Sequence, residues 1–321
     1  MEKLNLYITR NIPKSLLEDY EEHFSIRMWD KEDERVPRKV LLEEAKKADA
    51  LLTVLSDQID EELLSEATNL KVVANLAVGY DNIDLHAAKK HNVIVTNTPD
   101  VLSETTADLG FALLMATARR IVRASEFIKQ DAWKEWAPYL LAGSDIHHKT
   151  IGIVGMGRIG EAIAKRATGF DMTIRYHNRS RKLDAEKNLG AIYSTFDELL
   201  AESDFIVSVV PLTNETENMF NQDAFRKMKS SAIFINISRG AVVEETALFE
   251  ALKTQTIKGA GLDVFLEEPI RSDHPLVGLD NVVCLPHIGS ASEETRTTMI
   301  KLCLDNINGV LNGKGAITPV G

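Results

Sequence analysis

The chain has 321 residues, of which 44% are hydrophobic and 26% charged, and this composition is typical of a globular protein. Its 37 Lys and Arg against 48 Asp and Glu give a net charge of −11, which disfavours nucleic-acid binding because a phosphate backbone calls for a basic face. The two cysteines, Cys284 and Cys303, form no CxxC pair, and no His cluster has metal-ligand spacing, so neither a disulfide framework nor a metal site is indicated. Because the sequence has neither a signal-peptide pattern nor an apolar run of bilayer length, we expect a cytoplasmic protein without a membrane partner.

The first part of the chain alternates short apolar runs with amphipathic segments. Strands are predicted at Leu4–Thr9, Ala48–Leu55, Val72–Ala77 and Val93–Asn97. Helical patterns lie between them at Lys14–His23, Asp60–Thr68 and Leu85–His91. This alternation is typical of βαβ units around a parallel sheet.

A second series of elements follows a long helical pattern at Thr105–Ala124. Its strands are predicted at Thr150–Gly155, Thr173–Asn178, Phe205–Val210, Ala232–Ser238, Ala260–Val264 and Val282–Leu285. A last amphipathic segment at Glu293–Leu311 is expected to be a helix that returns to the first domain. We therefore predict an α/β protein with two doubly wound parallel-sheet domains, one of residues 1–100 and 291–321 and the other of residues 101–290.

A glycine motif follows the first strand of the second series. Gly155, Gly157 and Gly160 have the G-x-G-x-x-G spacing, with Arg158 and Ile159 opening the helical run that follows. In this order the glycines allow a tight turn, close approach of a pyrophosphate and helix packing against the strand. The motif therefore predicts a dinucleotide site; S-adenosylmethionine or a purely structural turn are the alternatives.

A basic turn follows the next strand. NAD enzymes usually have an acidic residue here for the ribose 2′-hydroxyl, but this chain has Asn178, Arg179, Ser180 and Arg181. These four side chains supply hydrogen-bond donors, two of them cationic, that suit a 2′-phosphate. We therefore predict a preference for NADP(H), with NAD(H) possible; the alternative is a solvated basic turn.

Three polar clusters each lie at the end of an apolar run further along the chain. They offer the cation of Arg239, the neighbouring carboxylates of Glu267 and Glu268, and the imidazole of His287. A guanidinium can hold a substrate carboxylate through two hydrogen bonds. An imidazole paired with a carboxylate can give a proton to a carbonyl oxygen as hydride arrives. The set therefore predicts a carbonyl reductase.

Other motifs are spread over nearly the whole chain. They are Leu55–Asp57, Val78–Asp84, Thr98–Leu102, Trp133-x-x-Trp136-x-Pro138 and Val210–Thr213 with Thr216. Together with the glycine motif, the basic turn and the three clusters, they resemble the D-isomer-specific 2-hydroxyacid dehydrogenase family, most closely its glyoxylate/hydroxypyruvate reductases. The resemblance implies a flavodoxin-like substrate domain and a Rossmann cofactor domain with a cleft between them.

The resemblance also implies roles for the three clusters. Arg239 would clamp the carboxylate of a 2-oxo acid, and His287 would protonate its carbonyl oxygen. Glu268, which immediately precedes a proline as in the family motif, would orient His287. The resemblance places these three side chains together in the cleft.

Further contacts are implied by the same resemblance. The cofactor would contact Thr106, Pro211, Thr216, Ile237, Ser238, Asp263 and Gly289 in addition to the glycine motif and the basic turn. The substrate would contact Leu55, Ser56, Val78 and Gly79 in addition to Arg239 and His287. Trp136 would reach the active site of the partner in a homodimer, whose contact the segment from Ala107 to Leu141 would largely form.

These features lead us to expect an NADPH-preferring reductase that converts glyoxylate to glycolate and hydroxypyruvate to D-glycerate. A reductase of 2-ketogluconate is an alternative with the same chemistry. A dinucleotide-sensing protein of the corepressor type is an alternative from another class, because such proteins keep the same residues. A dehydrogenase of phosphoglycerate is less favoured because the acidic residue typical of NAD enzymes is missing.

Overall fold

The computed structural model describes residues 3–321 and divides into two compact units. One contains the chain up to Leu102 together with Ser292–Gly321, and the other is Ser103–Ala291. Each unit has one parallel β-sheet with helices in its connections, so the predicted α/β class with two parallel sheets is confirmed. No helix within residues 3–321 combines the length and apolar character needed to cross a bilayer.

The first unit has a five-stranded sheet in the order β2-β1-β3-β4-β5. Its strands are β1 (Leu4–Ile8), β2 (Phe24–Met28), β3 (Ala50–Thr53), β4 (Val72–Asn75) and β5 (Ile94–Thr96). Its helices are α1 (Arg38–Ala45), α2 (Glu61–Glu66), α3 (Leu85–Lys90) and the C-terminal α11 (Glu293–Leu311), which packs against β3, β4 and β5. The strand order is that of flavodoxin-like folds, in which ligands bind at the carboxyl ends of the strands.

The second unit has a seven-stranded sheet in the order β12-β11-β10-β9-β6-β7-β8. Its strands are β6 (Thr150–Val154), β7 (Thr173–His177), β8 (Ile192–Tyr193), β9 (Phe205–Ser208), β10 (Ile233–Asn236), β11 (Gly259–Leu262) and β12 (Val282–Cys284). Its helices are α4 (Ser103–Ala118), α5 (Ile121–Lys129), α6 (Arg158–Thr168), α7 (Leu183–Leu189), α8 (Phe196–Glu202), α9 (Gln222–Lys227) and α10 (Glu245–Lys253). This is the Rossmann order with a seventh strand. All strands are parallel, and successive strands extend the sheet in opposite directions from the boundary between β6 and β9.

The apolar runs of the sequence become strands because helices cover the sheets. All residues of β9, β10 and β11 are buried, as expected for parallel strands that are covered on both faces. Helix α8 begins at a capping box in which Thr195 and Glu198 exchange hydrogen bonds between side chain and backbone. Local signals and burial therefore agree in this part of the chain.

The long helix predicted at Thr105–Ala124 is wrong, because the chain breaks it into α4 and α5. Arg120, between the two helices, has φ of +55° in the left-handed region. The returning chain ends α4: the Ser144 N–H donates to the Ala118 carbonyl at 2.8 Å, and a Cβ on Gly143 would lie 2.2 Å from that oxygen. This tertiary contact has no signal in the helical pattern.

The helix predicted at Lys14–His23 is also wrong. The segment forms two short 3₁₀ turns, Lys14–Leu16 and Glu18–Tyr20, and Leu17 is its one fully buried apolar residue. A short helix with a single buried anchor lacks the packing that offsets the cost of nucleation. The prediction also missed β2, an edge strand with polar Ser25 and Arg27, and the two-residue β8 at the other sheet's edge.

Candidate active site

The glycine motif forms the loop between β6 and α6. A Cβ on Gly155, whose φ is +102°, would lie 2.8 Å from the Val209 carbonyl oxygen, and a Cβ on Gly160 would lie 2.1 Å from the Gly155 oxygen. Gly157 faces open space, since its Cβ would meet no atom within 4 Å. Gly157 is also the N-cap of α6, where the first N–H groups of the helix and the helix dipole favour an anion. The loop therefore has the space and the donors that a pyrophosphate requires.

The basic turn lies directly beside this loop. Asn178, the residue after β7, accepts a hydrogen bond from the Met156 N–H at 3.3 Å through Oδ1 and donates to the Ser180 carbonyl at 2.9 Å through Nδ2. One side chain thus links the glycine loop to the turn that carries Arg179. In this fold the ribose next to the pyrophosphate lies at the same place.

Arg181 differs from the other residues predicted for the 2′-phosphate. Its guanidinium donates to both carboxylate oxygens of Glu186 in α7, at 3.0 Å and 2.5 Å. The side chain is therefore committed to an acid of its own unit, and the turn presents fewer available cations than its sequence indicates.

The turn after β9 carries Pro211 and Thr216. The Thr216 hydroxyl donates to the Pro211 carbonyl at 2.6 Å and accepts from the Thr213 N–H at 2.8 Å. These bonds close the turn at the carboxyl end of β9, next to the glycine loop at the carboxyl end of β6. The two predicted residues are therefore structurally linked.

A buried polar network holds the end of β10. The Asn236 side chain accepts from the N–H and hydroxyl of Ser238 at 3.1 Å and 2.8 Å, and donates to the Arg239 carbonyl at 3.0 Å. The Ser238 hydroxyl also lies 3.1 Å from that of Ser208, which ends β9. Ile237 is buried, and its Cδ1 would lie 2.6 Å from a Cβ on Gly110 in α4. The turn that carries Arg239 is thus fixed from several sides.

Gly240 brings this turn against the segment that carries Glu268. A Cβ on Gly240 would lie 1.9 Å from the carbonyl carbon and oxygen of Phe265, so only glycine fits this position without a backbone shift. The Phe265 N–H in turn donates to Glu268 Oε1 at 2.9 Å. Arg239 and Glu268 are therefore positioned by the same backbone contact.

Glu268 and His287 form a hydrogen-bonded pair, with Oε2 of the acid 2.8 Å from Nδ1 of the imidazole. Although burial alone would raise the pKa of the Glu268 carboxyl, the hydrogen bond and charge of His287, the Phe265 N–H and the charge of Arg239 lower it below its ordinary value. The acid is therefore ionised near neutral pH. With Nδ1 engaged, Nε2 is the ring atom that can exchange a proton with a substrate.

The backbone of His287 has an unusual conformation. Its φ is +54°, in the left-handed region that costs a residue with a side chain about 1 to 2 kcal/mol. Its N–H donates to the Asp263 carbonyl at 2.9 Å, and the next N–H, of Ile288, donates to Asp263 Oδ1 at 2.8 Å. Such conformations persist where the surroundings enforce them and are common at active sites.

Three residues predicted to face the nicotinamide lie together. A Cβ on Gly289 would be 3.3 Å from both Asp263 Oδ2 and Thr106 Cγ2, the latter in α4. Burial raises the pKa of the Asp263 carboxyl, whereas the N–H groups of Ile288 and Gly289 and the charge of His287 oppose the increase. A buried carboxyl whose Oδ2 lies beside Gly289 can accept a hydrogen bond from an amide.

The substrate residues predicted in the first unit follow β3 and β4. Ser56 accepts a hydrogen bond from the Arg10 guanidinium at 2.7 Å and follows Leu55 on the turn after β3. The carbonyls of Val78 and Gly79 accept from Asn97 at 2.8 Å and from Asn75 at 3.0 Å. Among residues 3–321, the N–H groups of Val78 and Gly79 donate no hydrogen bond, so they are available to an anion.

The prediction missed the residues that orient these loops. Asn75 and Asn97 fix the carbonyls of the second loop, and Arg10 also contacts Asp57, whose side chain is fully buried. A polar residue that ends an otherwise apolar run, as in Val72-Val73-Ala74-Asn75, was the available signal. Trp136, by contrast, lies on the segment after α5 with 75% of its surface exposed.

Comparison with protein families gives the assignment. A family model described as D-isomer specific 2-hydroxyacid dehydrogenase, NAD binding domain, matches residues 111–289. The chain belongs to this family. The membership predicted from sequence is confirmed, and this enzyme is an oxidoreductase of 2-hydroxy acids whose second unit is a nicotinamide dinucleotide-binding domain.

Individual relatives match along almost their whole length. The chain is 50% identical over 316 residues to a glyoxylate reductase of Thermococcus onnurineus, covering 97% of this chain and 94% of the relative. It is 49% identical over 321 residues to a glyoxylate reductase of Pyrococcus furiosus, covering 99% and 94%. A solved NADPH-dependent glyoxylate/hydroxypyruvate reductase of Sinorhizobium meliloti, in complex with NADP and malonate, has a TM-score of 0.86 and 32% identity, covering 100% of this chain and 97% of that one.

Proposed function

We propose that this enzyme is an NADPH-preferring reductase of small 2-oxo acids, chiefly glyoxylate and hydroxypyruvate. The observation that carries the proposal is the Glu268–His287 pair at 2.8 Å, within the electrostatic influence of Arg239 at the carboxyl end of the Rossmann sheet. The names of the relatives from Thermococcus, Pyrococcus and Sinorhizobium support glyoxylate as the substrate. The products are glycolate and D-glycerate.

Arg239 is proposed to bind the substrate carboxylate. Its guanidinium presents planar donors that match a carboxylate with two parallel hydrogen bonds, and it keeps its charge at every relevant pH. The buried network around Asn236 and the contact at Gly240 hold its backbone, which reduces the loss of freedom on binding. In the first unit, the N–H groups of Val78 and Gly79 are the proposed further donors to an anion.

His287 is proposed as the proton donor. When bound, the reduced nicotinamide supplies the hydride that adds to the carbonyl carbon. His287 gives its Nε2 proton to the carbonyl oxygen, so that 2-oxo acid, reduced cofactor and one proton yield 2-hydroxy acid and oxidised cofactor. Glu268 holds Nδ1 of the imidazole and so keeps the ring in the orientation that directs Nε2 toward the substrate.

The dinucleotide is proposed to lie along the carboxyl ends of the sheet. The open space at Gly157 and the N-terminus of α6 receive the pyrophosphate, and Asp263 accepts from the carboxamide of the nicotinamide. Asn178, Arg179 and Ser180 form the side of the site suited to a 2′-phosphate. This side supports NADP(H) over NAD(H), with NAD(H) as a usable second cofactor.

A homodimer is proposed as the working form. The segment from α5 to Leu140 exposes several large apolar side chains, and contiguous apolar surface of this kind marks many protein–protein contacts. They are Ile121, Val122, Ile128, Trp133, Trp136, Tyr139 and Leu140. Trp136 is the proposed contribution to the partner's substrate site. Light scattering is expected to give twice the monomer mass; a monomer at working concentration contradicts this part of the proposal.

The cytoplasmic location stays a prediction.

The proposal is tested by following oxidation of NADPH with glyoxylate, hydroxypyruvate, 2-ketogluconate, pyruvate and phosphohydroxypyruvate. We expect glyoxylate and hydroxypyruvate to have the highest kcat/KM. His287→Ala should lower kcat by about 10²- to 10⁴-fold because it removes the proton donor, and Arg239→Ala should lower kcat/KM by about 10²-fold because it removes the charged partner of the substrate carboxylate.

The controls separate chemistry from folding. His147→Ala removes an exposed histidine of the same unit and should leave the rates unchanged. Arg239→Lys keeps the charge without the planar pair of donors and should recover only part of the activity. Turnover that persists in His287→Ala, or a wild-type protein that binds NADPH yet reduces none of the acids, would reject the proposal.

A further inference from the structure

The position of Arg181 bears on cofactor preference. Its Nε and Nη2 donate to Oε1 and Oε2 of Glu186 at 3.0 Å and 2.5 Å, which is the two-point geometry of a strong arginine–carboxylate pair. The hydrogen bond from Arg181, followed by that from Tyr176, lowers the pKa of the Glu186 carboxyl. The acid is thus charged at neutral pH and offsets the charge of the arginine.

Glu186 is itself held in place from the core. The hydroxyl of Tyr176, a fully buried residue of β7, donates to Glu186 Oε1 at 2.6 Å and accepts from the Lys182 N–H at 2.7 Å. The Glu186 side chain is only 18% exposed, whereas that of Arg181 is 61% exposed. The acid is therefore the more firmly held member of the pair, and it determines where the exposed arginine lies.

A second contact supports the same placement. The Arg181 guanidinium carbon lies 6.0 Å from the ring centre of Tyr193 in β8, at the limit of a cation–π contact. The Tyr193 hydroxyl reaches back to the Asn178 carbonyl at 3.4 Å. Arg181 is thus drawn toward β8 and α7, at the edge of the sheet.

Arg179 has a different environment. Glu215 lies on the turn after β9. Hydrogen bonds from the Thr213 hydroxyl and from the N–H of Glu215 itself lower the pKa of its carboxyl, and the charge of Arg179 lowers it to a smaller extent. Arg179 therefore lies within electrostatic reach of the turn after β9, which follows the strand next to β6 in the sheet. The two arginines of the turn serve different partners.

We propose that Glu186 is a specificity-determining residue that holds Arg181 away from the 2′-phosphate. Only Arg179, aided by Asn178 and Ser180, then serves the phosphate, and this limits the preference for NADPH over NADH. The inference rests on the proposed use of NADP(H). It predicts that the preference can be increased by releasing Arg181, without any change at the catalytic end of the sheet.

The test compares kcat/KM for NADPH and NADH in Glu186→Gln. The amide keeps an oxygen for the Tyr176 hydroxyl but loses the charge that retains Arg181. We expect the NADPH/NADH ratio of kcat/KM to rise about fivefold through KM for NADPH, the effect of one partly exposed charge-assisted hydrogen bond, with kcat unchanged. Asp184→Asn is the matched control, since it removes an equal charge from an exposed residue of the same helix and should shift the ratio less than twofold.

Two arginine variants make the test independent of how well Glu186→Gln folds. Arg181→Ala alone removes an exposed side chain and should change the ratio less than about twofold, whereas Arg179→Ala should lower it by about tenfold or more. In the double variant Arg181→Ala/Glu186→Gln the increase should disappear. A ratio that falls or stays constant in Glu186→Gln, or an Arg181→Ala loss as large as that of Arg179→Ala, overturns the inference.

The result is distinct from that of the proposed function. A wild-type ratio in favour of NADH would contradict NADPH preference, yet the difference between Glu186→Gln and the double variant would still reveal whether Glu186 restrains Arg181. A purely structural role of Glu186 would instead lower Tm and affect the KM of both cofactors equally.

Discussion

Two regions of the same sheet are held in different ways. At the carboxyl ends of β10, β11 and β12, Arg239, Glu268 and His287 are fixed by buried backbone contacts: the missing Cβ of Gly240, the Asn236 network and the hydrogen bonds to Asp263. At the end of β7, the basic turn is fixed by side-chain pairs near the surface, those of Asn178 and of Arg181 with Glu186. A substitution in the first region should disturb the backbone and the catalytic groups together. In the second region a single side chain can be replaced without disturbing its neighbours.

The comparison explains how one fold can keep a reaction while its cofactor preference varies. Backbone packing loses several contacts at once when one atom is added, since densely packed regions respond to small volume changes. An exposed ion pair contributes little to stability, so its replacement leaves the fold intact. Substitutions near Arg239, Glu268 and His287 should therefore change folding and catalysis, whereas substitutions in the basic turn should change cofactor preference.

Among the substitutions that test this comparison, Gly240→Ala should have the largest effect. The added Cβ would lie 1.9 Å from the Phe265 backbone, which must move and carry the Glu268 segment away from Arg239. We expect a loss of stability of about 1 to 3 kcal/mol and a fall in kcat of about 10²-fold or more, because misplacing catalytic groups by about 1 Å is that costly. Thermal unfolding and steady-state kinetics measure both effects.

Gly278→Ala is the matched control for this packing argument. Its Cβ would meet no atom within 4 Å, and it lies in a 3₁₀ turn of the same unit. It should leave Tm and kcat close to those of the wild type. If Gly240→Ala behaves like Gly278→Ala, the contact with Phe265 does not constrain the site.

Glu268→Gln should have the next largest effect. The amide retains the shape of the side chain but loses the charge that pairs with His287, so kcat should fall by about 10²-fold while KM for NADPH stays constant. The neighbour Glu267 is exposed, and Glu267→Gln should be nearly silent. Equal losses in the two variants would show that the 2.8 Å pair has no special role.

Asn178→Ala should have a smaller effect, confined to cofactor binding. It removes the link between the Met156 N–H and the Ser180 carbonyl, so the turn loses its position beside the glycine loop. We expect KM for NADPH to rise about fivefold to tenfold, KM for NADH to rise less, and kcat to stay unchanged. A change in kcat of the same size would mean that the position of the basic turn also affects the catalytic residues.

The same contrast explains what the sequence could predict. Strands such as β9 and β10 are continuous apolar runs, and the glycine motif follows β6 directly, so these elements were predicted within a few residues. The final helix was predicted at Glu293–Leu311 and is confirmed at those bounds. Features encoded by local pattern and burial are therefore accessible from sequence.

Features that depend on contacts between distant residues were not accessible. The break after Ala118 depends on Gly143 and Ser144, and the charge of Arg181 is offset by an acid that the motif does not include. The sequence shows two arginines in the basic turn, but the structure pairs one of them, Arg181, with Glu186. Local motifs thus identify candidate ligands, whereas tertiary contacts decide which of them are available.

The smallest predicted effect concerns stability at low pH. Because the pKa of Glu268 is lowered in the folded protein, its ionised form adds stability at pH values above the ordinary glutamate pKa. This contribution is lost as pH falls from the ordinary value through the lowered one. The Tm of the wild type should therefore exceed that of Glu268→Gln near neutral pH, and the difference should shrink on acidification across that window. Glu267→Gln is the control, because it leaves in place the carboxylate that pairs with His287. A Tm difference between wild type and Glu268→Gln that stays constant on acidification would mean that the acid is held by its shape and not by its charge.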